Sequence, residues 1–358
     1  MKKFNFLSVF MSALMILAFV MMSCTKEGQP GAEGPAGSQG PKGEDGINGT
    51  DGTAGCVQCH NTNQTMVAVE LQWEHSIHAT GGNFERNDVG CAVCHTSQGF
   101  LERMANGTQT TAAPIANPNP PNCYTCHSIH KTYTPDDWSL TYADPVALWF
   151  PAGETVDYGE GNLCANCHQA RIVSPVPVPG SSDTYQMKSS RYGTHHSPVA
   201  NMLAGVGGYE VSNYENSMHG TLVEDGCVNC HMASAYGWQA GGHTTKIEYE
   251  FHGATEVNLA GCTSCHSDTD ELATLLEETQ TEISGMIDNL RTILKDKGWL
   301  GDDDLFKASS SAPLSLTADE LGACLNFQMT LEDKSNGVHN YKYTKALLEN
   351  SIAALGGE

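Results

Sequence analysis

Positive charge is scarce in this chain: 18 Lys and Arg stand against 41 Asp and Glu over 358 residues, a formal net charge of −23. Nucleic-acid binding depends on basic side chains that neutralise phosphates, so this balance argues against such a partner. By charge alone it favours basic proteins, cationic metal species and positively charged mineral surfaces. Charged residues of both signs make up only 16% of the chain, while Gly (37), Pro (15) and Cys (14) are plentiful, unlike a plain globular enzyme. Long apolar runs are missing as well. The run from Phe4 to Val20 is shorter than the ~20 residues of a comfortable membrane span. No βαβ pattern surrounds any Cys-x-x-Cys pair, which argues against a thioredoxin-like redox motif. Between residues 55 and 270 periodic apolar patterns are sparse and loops such as PIANPNPPN and PVPVPG intervene, so little regular secondary structure is expected there.

The N-terminal segment is built for export. Residues 1–23 have two lysines after Met1, an apolar stretch and a small Ser23, the pattern of a signal peptide. Cys24 follows in a setting similar to a bacterial lipobox, with Met21 and Met22 departing from the usual residues; lipidation there would fix the chain to an outer membrane, at the cell surface or facing the periplasm. A simple secretory signal with a free thiol is the alternative. From Gly28 to Gly52 a glycine occupies every third position, nine collagen-like triplets with Pro30, Pro35 and Pro41. Residues 24–54 therefore form a spacer, either trimerising or single-stranded, with a reach of about 80 Å when extended.

Cysteine spacing decides the chemistry. Cys-x-x-Cys-His occurs six times: Cys56-Cys59-His60, Cys91-Cys94-His95, Cys123-Cys126-His127, Cys164-Cys167-His168, Cys227-Cys230-His231 and Cys262-Cys265-His266. Two thiols three residues apart can form thioethers with the vinyl groups of one haem, and the adjacent imidazole then lies under the iron. Six covalent haem c (heme c) cofactors are expected. A zinc ribbon needs no histidine after each pair, and export to an oxidising compartment disfavours it.

Each iron has a second face. Nine histidines lie outside the motifs: His75, His78, His130, His195, His196, His219, His243, His252 and His339. Six distal ligands could come from these with three to spare, which ranks Met202, Met218 and Met232 low. Ser76-Ile77-His78 and Ser217-Met218-His219 share a local frame. The adjacent His195 and His196 must serve different haems if both ligate. His130, His243 and His339 complete the favoured set, and His75 and His252 have the weakest contexts.

Beyond Asp270 the pattern changes. Leu272, Leu275, Leu276, Ile283, Met286, Ile287, Leu290, Ile293 and Leu294 recur at helical steps, predicting a long amphipathic helix that ends near Lys297-Gly298. Further helices are expected from about Thr317 to Leu331 and from about Tyr341 to Leu355. Cys324, beside Leu321 and Leu325, reads as buried packing. The fold class is mainly α with extensive loops: a haem-organised cytochrome region over 55–270 and a C-terminal helical hairpin or small bundle over 271–358. At about 50 residues per haem, the porphyrins must supply much of the apolar core.

On its six motifs the chain resembles the bacterial multihaem c-type cytochromes over roughly residues 55–355. Ser76-Ile77-His78 and Ser217-Met218-His219 look like the Ser-x-His distal-ligand segments of that group. Thr194-His195-His196-Ser197-Pro198 is similar to a double-histidine segment in surface cytochromes of metal-reducing bacteria, where adjacent histidines can bind two stacked haems. Asp333 to Asn340 resembles the segment before the last helix of pentahaem nitrite reductases and octahaem cytochromes, which implies a distal role for His339. All six motifs end in histidine, whereas the catalytic haem of those reductases is held through Cys-x-x-Cys-Lys. The resemblance thus implies electron transfer to redox proteins or to extracellular metal and mineral acceptors, with assembly into filaments as in some hexahaem surface cytochromes. The other reading is a reductase of nitrite, hydroxylamine or a sulfur oxyanion with one open haem.

Overall fold

The computed structural model describes residues 64–210 and 214–357, all within the unit Gly52–Glu358. The signal segment, Cys24, the glycine repeat and the first motif lie outside the described residues.

Up to residue 268 the helices are short. They are α1 (Gln64–Glu74), α2 (Ile77–Thr80), α3 (Ala92–His95), α4 (Ser97–Asn106), α5 (Cys123–Cys126), α6 (Asn162–Ala165), α7 (Val199–Ala204), α8 (His219–Leu222) and α9 (Cys227–His231). Three two-stranded antiparallel ladders accompany them: β1 (Val146–Ala147) with β2 (Thr155–Val156), β3 (Tyr185–Met187) with β6 (Leu314–Leu316), and β4 (Glu248–Phe251) with β5 (Ala254–Val257). The shortness matches the sequence, which offers little periodic apolar surface for longer elements to bury.

The last ninety residues behave differently. Here α10 (Thr269–Asp296), α11 (Ala318–Asp333) and α12 (Tyr341–Ala354) pack together. Asp268 starts α10 by accepting from the backbone N–H groups of Asp270 and Glu271 at 3.1 and 3.0 Å. Gly298, at φ 77°, turns the chain away after its last residue. Thr317 and Glu320 cap α11 reciprocally, at 3.3 and 2.9 Å. Ile283, Ile287, Leu290 and Leu294 of α10 meet Leu321, Leu325 and Phe327 of α11 and Leu348 and Ile352 of α12 in one buried cluster. Cys324 belongs to this cluster, fully buried, as its apolar neighbours led us to expect. The buried Asn326 amide joins this core to the preceding region. It accepts from Tyr209 N at 2.7 Å and donates to Tyr209 O at 3.1 Å and Ser351 Oγ at 3.0 Å. Among the described residues no helix is long and apolar enough to cross a membrane.

Candidate haem-binding site

Each described Cys-x-x-Cys-His segment makes one helical turn. The histidine N–H bonds the carbonyl of the first cysteine at 3.1 Å in 91–95, 2.8 Å in 123–127, and 2.9 Å in both 164–168 and 262–266, and Cys227–His231 is the helix α9. One turn brings residues three apart onto the same face, so both thiols of a pair point to one side. No disulfide joins the described cysteines.

The motifs also touch one another. Thr125 Oγ1 donates to Ser97 Oγ at 2.8 Å, linking the third motif to the second. Arg103, on α4 directly after the second motif, donates to Asn166 O inside the fourth at 2.7 Å. Cys227 Sγ lies 3.9 Å from Gly161 O, just before the fourth motif. Gly261 abuts the fifth motif from the start of the sixth; a Cβ there would stand 2.4 Å from Asn229 O and 2.8 Å from Cys230 Cα, which only glycine tolerates. The contacts therefore run third, second, fourth, fifth, sixth.

Every described motif histidine faces one histidine from elsewhere in the chain. Ring centroids are 6.0 Å apart for His168 and His78, 6.3 Å for His95 and His195, 6.3 Å for His127 and His243, 6.3 Å for His231 and His339, and 6.4 Å for His266 and His219. A metal ion between two imidazoles needs about this spacing: two metal–nitrogen bonds of about 2 Å plus about 1 Å from each nitrogen to its ring centre. A direct hydrogen bond between such rings would bring them closer. The residues therefore fit an iron held on both faces. Among the described residues, no three His, Cys, Asp or Glu side chains converge as a zinc site would require.

Several rings are braced from behind. Nδ1 of His127 lies 2.7 Å from Trp138 O, that of His219 2.8 Å from Val338 O, and that of His231 3.0 Å from Thr245 O. As donors, these Nδ1 atoms leave Nε2 free to bind. Nδ1 of His339 meets the buried Asp333 carboxylate at 2.7 Å, and Ser335 donates to that carboxylate from the other side. His195 differs, since its Nδ1 accepts the His196 backbone N–H. His195 and Ser197 both have positive φ, 71° and 56°, and this tight path sets the His195 and His196 rings at 73° to each other.

Burial keeps most of these rings neutral, the form that binds metal. It lowers His168 to about 4, helped by His78 and His231. Burial, then His196 and Arg171, lowers His195 to about 4. His78, His95, His231 and His243 are lowered chiefly by burial as well. At His339 burial acts in the same direction, but the Asp333 carboxylate outweighs it and the net shift is upward.

All ten described motif cysteines and all five facing pairs line one continuous cavity of about 2440 Å³, against ~300–1,000 Å³ for a typical small-molecule pocket. Ile77, Met218, Leu222 and Leu275 line it and are exposed, a set of apolar side chains suited to covering flat apolar groups. The N-terminal half of α10 contributes Leu272, Leu275 and Leu276 to this wall, while its C-terminal half packs into the bundle.

The remaining expected ligands fare differently. Cys56, Cys59 and His60 lie outside the described residues. His130 and His196 line the cavity but face none of the five described motif histidines. His130 stacks on Tyr133 at 5.5 Å with Tyr124 Oη 3.3 Å from its Nδ1. Nδ1 of His196 lies 2.8 Å from Glu332 Oε2. His75 packs on Trp238 and His252 on Phe251. Met202 is buried with Met329 and Tyr343. The two Ser-x-His frames serve different local ends: Ser76 caps α2 below His78, whereas Ser217 accepts from Lys342 N of α12 at 3.1 Å. Glu332 and the cavity-lining Arg86 and Arg171 had no sequence signal of their own.

No family model matches this chain, and no curated protein matches it. Among solved structures it is similar to the outer cell wall cytochrome OcwA, with a TM-score of 0.52 and 22% identity over 79% of this chain and 49% of that one. An undecahaem cytochrome from the S-layer of Carboxydothermus ferrireducens also matches, with a TM-score of 0.44, 18% identity and coverage of 79% and 40%. The chain thus spans about half the length, or less, of these structures. With its mostly helical, loop-rich architecture and its similarity to OcwA, the chain has the fold of a multihaem c-type cytochrome resembling surface cytochromes.

Proposed function

We propose that the chain carries electrons along six covalently attached haems, one per motif, each described one held between its motif histidine and the histidine that faces it. The observation that carries this reading is the common 6.0–6.4 Å spacing of the five pairs. A haem held by two imidazoles supplies reversible one-electron exchange and offers no open position for substrate. The protein's part is structural and electrostatic. Thioethers from the cysteine pairs fix position, the Nδ1 partners of His127, His219, His231 and His339 fix ring orientation, and Leu272, Leu275 and Leu276 exclude water. Motif-to-motif contact from third to sixth favours a continuous path over isolated sites.

For the first motif, the cavity-lining His130 and His196 are the candidate distal ligands. Export, lipid anchoring at Cys24 and the glycine-repeat spacer complete the reading as an outer-membrane lipoprotein passing electrons to redox partners or to extracellular metal and mineral acceptors. The facing pairs disfavour an open reductase site at any of the five described motifs.

Voltammetry and ligand titration of the full-length, haem-loaded protein test the proposal. Reversible electron uptake with a visible spectrum unchanged by cyanide or nitrite is expected. A spectrum that shifts with either ligand would overturn it in favour of the reductase.

A further inference from the structure

We infer that Arg86, Arg103 and Arg171 surround the second motif, Cys91-Cys94-His95, with positive charge that no described carboxylate pairs and make it the site of highest potential on the path. The inference rests on the electron-transfer reading above. The chain has only five arginines, so three at one motif is a concentration.

Among the described residues, none of the three meets a carboxylate. Arg103 is buried at 5% exposure, and its hydrogen-bond acceptors are neutral: Asn166 O at 2.7 Å and Asn166 Oδ1 at 3.4 Å. Its Nη1 lies 4.0 Å from Cys94 Sγ, and the guanidinium sits 4.7 Å from the centre of the Trp149 ring. A buried arginine stays charged, and such a charge ordinarily has an anionic partner. Arg86 and Arg171 line the cavity with His95 and His195. Arg171 Nη2 would lie 3.6 Å from a Cβ on Gly90, the residue before Cys91. Among the described residues, no ion pair or side-chain hydrogen bond engages either guanidinium, in a protein with 41 acidic residues. Glu332 pairs with His196.

Fixed cations favour the state with one more electron, and in a partly buried site water screens them weakly. Among the described residues, no other arginine lines the cavity. Behind His339 stands the Asp333 carboxylate, which acts in the opposite sense.

Each reduction step takes up one electron, supplied in a titration by dithionite, and breaks no covalent bond. The test is an optically and EPR-monitored potentiometric titration of the full-length, haem-loaded protein, with His195→Met marking the step that belongs to the second motif. In the wild type the marked step is expected at the highest potential. Arg86→Gln/Arg171→Gln should move that step to lower potential and leave the others in place, and Arg171→Lys should hold it. An unmoved step, or movement of a different step, would overturn the inference. If the electron-transfer reading itself fails, the wild type will show fewer low-spin irons than haems before any arginine is changed, so the two failures are distinguishable. Arg103→Gln adds a buried contribution in the same direction, but the inference stands or falls on the cavity-lining pair.

Discussion

The two regions of this molecule solve the same problem with different materials. The C-terminal helices bury Leu290, Leu294, Leu321, Phe327 and Leu348 against one another and need nothing beyond the chain itself. The motif region has small clusters, such as Val146, Leu148, Val156 and Tyr158, set around a cavity lined by exposed apolar side chains. In the first region order follows from apolar area. In the second it must come from what the ten described motif cysteines attach.

The sharpest way to break the contrast is to withhold haem. In full-length chain made without haem attachment, amide exchange is expected to show protection kept across 269–357 and lost across most of 64–268; uniform protection would deny the difference. A smaller effect comes from carving the bundle. Phe327→Ala or Leu290→Ala should lower unfolding stability by about 2–5 kcal/mol, measured by denaturant titration, with haem content and visible spectrum unchanged. On the other side, His339→Ala should convert one iron of six to high spin by EPR without loss of covalent haem, because the thioethers do not depend on the distal ring.

The smallest expected effect concerns charge in the bundle. Lys345 Nζ lies 2.6 Å from Glu282 Oε1 and Tyr341 donates to Oε2 at 2.7 Å, tying α12 to α10. The Lys345 contact first and the Tyr341 bond second lower the Glu282 carboxyl below its ordinary 4.5. A folded value below the unfolded one means the stabilisation is complete above pH 4.5 and disappears as pH falls through the lower, folded value. The pair is partly exposed, so Glu282→Gln should cost at most ~1 kcal/mol at neutral pH, less in high salt, and should flatten the acid side of the stability profile.

The sequence is readable where chemistry or capping is local. Asp268, Thr317 and Asn340 mark the helix starts within a residue or two of where periodicity places them, because a cap acts over three residues. The motifs are readable because two thioethers and one imidazole must fall on a single turn. Pairing was not readable, since His78 meets His168 and His127 meets His243 across ninety residues or more, and nothing in either flank encodes the partner. The shared Ser-x-His frame singled out His78 and His219 but suggested an equivalence that the backbone does not keep, as Ser76 caps a helix and Ser217 bonds to α12. The brace on His339 was hidden because Asp333 comes within reach only through the turn at Lys334 and Asn336, with φ of 60° and 48°.

The most direct test of the electron-path reading is electron paramagnetic resonance of the oxidised full-length protein, with haem counted by pyridine haemochrome. Six haems per chain, all low-spin, are expected from six motifs and the facing histidines. Fewer than five low-spin irons would contradict the proposal that the five described histidine pairs would hold the haem irons.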